Sequence, residues 1–147
     1  MSMGQYSAYH VGIDVESLLS EVLGPECDET RDVLALLRYA DVVEGESEFT
    51  GEVFPLGDDG VERWSEGRMK EGESVCYVEI PRYPTLFRAP HRSMDGLVKR
   101  MVPVYRGFAR SANKVLEEEG LESRLPETVG GDVVRRHLSS FIGVYCG

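Results

Sequence analysis

The sequence predicts a single α+β domain, with an antiparallel or mixed sheet and its helices packed on one face. Three observations lead there. The chain has 147 residues, 41% hydrophobic and 29% charged, a size and composition that allow one buried core without disulfide staples. Its periodicity runs strand, two helices, several strands, a long helix and a final strand, an order typical of α+β proteins rather than of alternating βαβ units. Nothing resembles an internal repeat or the roughly 18 consecutive apolar residues of a membrane helix. Residues 1–147 therefore read as one domain, for which a decorated ferredoxin-like βαββαβ arrangement is one candidate topology.

Tyr6 to Ile13 is β-branched or aromatic at Tyr9, Val11 and Ile13 and reads as a strand. Asp14 is placed to cap a helix whose apolar stripe is Val15, Leu18, Leu19, Val22 and Leu23, stopped by Gly24-Pro25. A second helix is expected from Asp28 or Thr30 to about Val43. Its stripe is Val33, Leu36, Leu37 and Ala40, widened by Leu34 and Tyr39. Short strands follow: Phe49 to Leu56, a turn at Gly57-Asp58-Asp59-Gly60, Val61 to Trp64, and Ser74 to Ile80 with Cys76, Val78 and Ile80 on one face.

The segment from Met94 to Leu116 is the most informative. On a helical wheel, Met94, Leu97, Val98, Met101, Tyr105, Phe108, Ala109, Ala112, Val115 and Leu116 share one face. Arg92, Lys99, Arg106, Arg110 and Lys114 share the opposite face with Pro103, where a proline is tolerated on the outside of a bend. One long, proline-kinked amphipathic helix ending at Gly120 is expected. The tail allows two readings: a short helix capped by Asp132 and then a strand from Phe141 to Cys146, or mostly strand from Val133.

Charge is unevenly distributed. The net charge of −10 divides into 18 acidic and 5 basic side chains over residues 1–73, and 8 acidic and 11 basic over 74–147. Such a chain repels nucleic acid and anionic membrane at long range. Within it, Arg82 to Lys114 holds eight basic residues and one acid, Asp95. The loop carrying Arg82, Tyr83, Arg88 and Arg92, continued by Lys99, Arg106 and Arg110, combines guanidinium groups with aromatic residues, as suits phosphate, carboxylate or stacked bases. The competing account pairs these cations with the chain's own acids, internally or in a homodimer. An acidic row, Glu44, Glu46, Glu48 and Glu52, would line one face of an extended strand at about 6.8 Å spacing. That is too sparse to mimic a nucleic acid alone, but Asp58, Asp59 and Glu62 would extend it. It serves equally as a solubilising face.

The catalytic inventory is short. Cys27, Cys76 and Cys146 have neither disulfide-framework nor zinc spacing and suit a reducing compartment. No Gly-rich phosphate loop and no metal-ligand spacing occurs. Two His-x-Ser triplets, His91-Arg92-Ser93 and His137-Leu138-Ser139, resemble the paired motifs of the two-histidine phosphoesterase superfamily. That resemblance implies His91 and His137 as acid–base groups, with Ser93 and Ser139 holding a phosphate. The sequence departs from the pattern in placing His91 after Pro90 in a loop and an arginine between His91 and Ser93. Ser93 also reads simply as a helix N-cap.

The sequence thus leads to a non-enzymatic binding module that occupies a protein or protein–nucleic-acid complex through charged surfaces. It is expected in the cytoplasm, with no cofactor, metal or membrane anchor. A small acidic inhibitor of a nucleic-acid-handling host-defence complex, of the sort mobile elements encode, fits that profile. The small phosphoesterase or nucleotide-handling enzyme is the alternative.

Overall fold

A computed structural model describes residues 5–23, 28–43, 49–57, 59–72, 75–79 and 94–146. It is an α+β structure. Its elements are β1 (Gln5–Asp14), α1 (Val15–Leu23), α2 (Asp28–Tyr39), β2 (Phe49–Pro55), a 3-10 turn (Trp64–Glu66), β3 (Arg68–Glu71), β4 (Tyr77–Glu79), α3 (Met94–Glu118), α4 (Gly131–His137) and β5 (Leu138–Cys146). The five strands form one sheet in the order β3-β2-β5-β1-β4, and every neighbouring pair is antiparallel. A ferredoxin-like βαββαβ unit has four strands and a parallel central pair, so this sheet takes a different order. No helix of the described residues is long and apolar enough to cross a membrane.

The strand period of two separates the sheet's faces. Val11 and Ile13 of β1, Val78 of β4 and Leu138 of β5 point to the helices and join their buried stripes in one core. Leu18 and Leu19 of α1, Val33 and Leu37 of α2, and Leu97, Met101, Tyr105, Ala112 and Leu116 of α3 supply the other side. Every residue assigned by the wheel to the inner face of α3 is buried or half-buried. The helix runs continuously through Pro103, which lies exposed on the outer face. Gly120 takes φ +75° just past the helix end, a conformation that glycine adopts without strain. Asp14 caps α1, its Oδ1 accepting the Ser17 amide at 3.4 Å. The connection after α3 is tied back by Asn113, whose amide side chain donates to the Leu125 carbonyl at 2.9 Å and accepts the Leu125 amide at 2.7 Å.

The opposite face of the sheet is concave. The two edge strands, β3 and β4, are joined by residues 72–76 alone. In a flat five-stranded sheet the edges would stand about 19 Å apart. Part of that short link is spent on a turn, Val75 donating to the Gly72 carbonyl at 3.0 Å with Gly72 at φ +54°. The sheet must therefore coil to draw its edges together. Gly12 permits this at the β1–β4 crossing, where a Cβ would stand 2.1 Å from the Val78 carbonyl oxygen. Inside the curl, Val53, Val75, Tyr77 and Phe141 form a second apolar cluster, with the Tyr77 ring stacked on Phe141 at 4.7 Å and on His10 at 5.1 Å.

Several local expectations are corrected. α2 ends at Tyr39 rather than near Val43, because Asp41 turns the chain at φ 56°. Tyr39 and Ala40 are accordingly exposed instead of extending the stripe. Val61 to Trp64 contributes only an isolated bridge, Leu56 with Glu62, and the strand that pairs with β2 is the polar Arg68–Glu71 segment. At the tail, the helix-then-strand reading holds. Gly130 stands at the N-cap, Asp132 lies in the first turn, and the strand starts at Leu138.

Candidate functional site

The described residues present two polar features: a cleft at one end of the concave face, and the outer face of α3.

The cleft has a volume of about 460 Å³ and opens where β1, β2 and β3 meet α1, the 3-10 turn and the α4–β5 junction. Register builds its floor. Pro55 pairs with Ser139, Ser139 with Gly12, and Val53 with Arg68, so these positions share the concave face. Lys70 reaches from the edge strand to Asp14 at the end of β1, with Nζ 3.2 Å from Oδ2 and both side chains 10% exposed. Glu16 Oε1 stands 3.5 Å from the same ammonium. Arg63, Arg68 and Arg136 stand around the cleft. Arg63 pairs with Glu66 at 2.9 Å and Arg136 with Glu21 at 2.8 Å, while Arg68 has no ion-pair partner among the described residues.

Behind the cleft wall, Ser17 Oγ lies 2.8 Å from His137 Nδ1. Ser17 and Glu21 are one turn apart on α1 and meet the same imidazole. His137 Nε2 stands 3.4 Å from Glu21 Oε2 and makes no hydrogen bond of good geometry. The hydrogen bond from Arg136 holds the Glu21 carboxyl below its ordinary range; burial opposes this and the charge of His137 reinforces it. The immediate structural effect of this cluster is to fasten α4 to α1, fixing the start of β5.

The outer face of α3 carries Lys99, Arg106, Arg110 and Lys114, all exposed. Arg110 stands 3.9 Å from Glu127. Lys99, Arg106 and Lys114 have no ion-pair partner among the described residues. The row spans about 22 Å of helix.

Sequence-proposed residues distribute as follows. Lys99, Arg106 and Arg110 share the exposed face assigned to them. His137 and Ser139 come together at the cleft, Ser139 lining it and His137 touching it through Ser17. Glu52 is half-buried on β2, and Glu62 is 7% exposed, so neither belongs to an open acidic face. Asp59 accepts the Val61 amide at 3.1 Å within its own turn. Arg82, Tyr83, Arg88, His91, Arg92, Ser93, Glu44, Glu46, Glu48 and Asp58 lie outside the described residues. Sequence reasoning missed Ser17, Arg63, Arg68, Lys70 and Arg136 as neighbours. Strand register and helix packing bring them together over as many as 119 positions, and only the i, i+4 spacing of Ser17 and Glu21 left a local trace. Among the described residues no group of three or more His, Cys, Asp or Glu side chains is arranged to hold a metal ion.

No protein-family model, curated protein or solved structure matches this chain.

Proposed function

We propose that this chain is a binding module that occupies an anionic surface of a macromolecular partner with the cationic face of α3. One observation carries the reading. In a chain of net charge −10, Lys99, Arg106 and Lys114 stand exposed on one helix face without an acidic partner among the described residues. Asp95 and Glu117 share this helix face, but among the described residues only Arg110 of the row is in an ion pair, 3.9 Å from Glu127. An exposed cation gains little from a distant, screened acid, so the row keeps its charge available for an incoming surface.

The global negative charge disfavours free nucleic acid as that surface. A protein or protein–nucleic-acid complex with a local acidic patch matches both the row and the overall repulsion. The sharper form of the proposal is an inhibitor of a nucleic-acid-handling defence complex, and it rests on the small, acidic profile of the chain.

The test is affinity capture from host lysate at low and high salt, comparing the native chain with Lys99→Glu/Arg106→Glu/Lys114→Glu. The expected result is a partner that elutes with salt and is lost with the triple variant, whose melting temperature stays close to that of the native chain. Equal capture by both proteins would refute the proposal.

A further inference from the structure

We propose that the cleft is a binding site for the phosphoryl group of a small phosphorylated molecule, separate from the α3 surface and independent of its role. The first argument is charge. Four cations line the cleft, Arg63, Arg68, Lys70 and Arg136, against two carboxylates, Asp14 and Glu66. Cations thus outnumber carboxylates in the lining itself, which favours an anionic ligand. Glu16 contacts Lys70, and Glu21 and Asp132 contact Arg136, from outside the lining, so Arg68 is the lining cation without an ion-pair partner among the described residues.

The second argument is donor geometry. Arginine presents a planar fork suited to phosphate oxygens, and Arg68 enters the cleft with no ion-pair partner among the described residues. The Ser139 hydroxyl adds a short-range donor, as does that of Ser17 where the His137 imidazole donates the bond they share. Ser17 is held by His137 at 2.8 Å, so its oxygen is fixed in position before any ligand arrives. Lys70 is pinned by Asp14 at 3.2 Å, which fixes a positive charge at low exposure in the floor. The third argument is size: about 460 Å³ falls within the range of small-molecule sites.

Trp64, the one tryptophan of the chain, supplies the readout. It sits in sequence between Arg63 and Glu66, both lining the cleft, and packs against Phe54 with ring centroids 4.5 Å apart and the planes tilted by 57°. Its fluorescence is titrated with glycerol 2-phosphate and inorganic phosphate, and with acetate and glycerol as comparison ligands. The expected result is a saturable change with both phosphates, at least about tenfold weaker with acetate and absent with glycerol. Arg68→Ala and Arg136→Ala each weaken phosphate binding about tenfold; Lys99→Ala/Lys114→Ala leaves it unchanged. Arg68 is exposed, so its replacement tests binding without endangering the fold. Absence of saturation with phosphate, equal affinity for acetate, or native affinity in Arg68→Ala would each overturn the assignment.

Discussion

Lys70 Nζ lies 3.2 Å from Asp14 Oδ2, and this ion pair ties the edge strand β3 to the end of β1 across the concave face of the sheet. Both side chains are 10% exposed, so removing one partner leaves a charge in a poorly solvated place. Lys70→Met is expected to cost about 3 kcal/mol of unfolding free energy, read from the urea midpoint. The double variant Lys70→Met/Asp14→Asn is expected to recover most of the loss, since asparagine retains the capping oxygen for α1. A single variant as stable as the native chain would show that the pair does not hold the curl.

Gly12 and Gly107 make a paired prediction of opposite sign. A Cβ at Gly12 would collide with the Val78 backbone, which cannot yield without moving β4, whereas one at Gly107 meets nothing within 4 Å. Gly12→Ala is expected to destabilise by about 3 kcal/mol. Gly107→Ala in the exposed interior of α3 is expected to stabilise by about 1 kcal/mol. Chemical denaturation of both variants checks the close approach of β4 and the regularity of α3 in one experiment.

Burial pushes the Cys76 thiol up to about 11 from an ordinary 9.0. The unfolded chain releases this proton first as pH rises, and the folded chain holds it longer. Stability therefore falls with pH between about 9 and about 11, by at most about 1.4 kcal/mol per pH unit. Cys76→Ala is expected to lose less melting temperature than the native chain between about pH 8 and about pH 10.5. Burial also raises the Tyr105 hydroxyl from 10.0 to about 12, which adds a similar decline between about pH 10 and about pH 12. Equal losses in the two proteins would remove Cys76 from this account.

Asn113 is expected to matter more than a half-buried polar residue on a helix ordinarily does. Its side chain makes two hydrogen bonds with the backbone of Leu125. Asn113→Ala is expected to cost about 2 kcal/mol, and to raise amide exchange in residues 121–127 before that of the sheet. Unchanged exchange there would mean that Tyr105, which donates to the Pro126 carbonyl, suffices to hold the connection.

How far the sequence could be read depended on the range of the interactions involved. α3 was legible to its inner face and its Gly120 terminus, because a 25-residue amphipathic pattern is a local property repeated over many turns. α1 was legible for the same reason, with Asp14 as its cap. β3 was not: Arg68-Met69-Lys70-Glu71 shows no apolar alternation, since Lys70 and Arg68 face a polar cleft and Met69 is exposed. Its strand character comes from β2 beside it. The cleft was illegible as a whole, since Asp14 meets Lys70 and Ser17 meets His137 only after β1, β5, β2 and β3 have paired. Of its members, His137 and Ser139 drew notice as parts of a triplet, and the structure gives them a different companion, Ser17.

The first and last strands of the described residues lie side by side, from Gln5 opposite Cys146 to Ile13 opposite Leu138, and β5 separates β1 from β2. On the ribosome, β1 is made more than a hundred residues before its central neighbour β5. Until residues 138–146 emerge, the sheet has no middle, and the apolar strand β1 waits without its main partner. Completion of the sheet is therefore expected to wait for β5 and to be slow for its size, as long-range pairing requires.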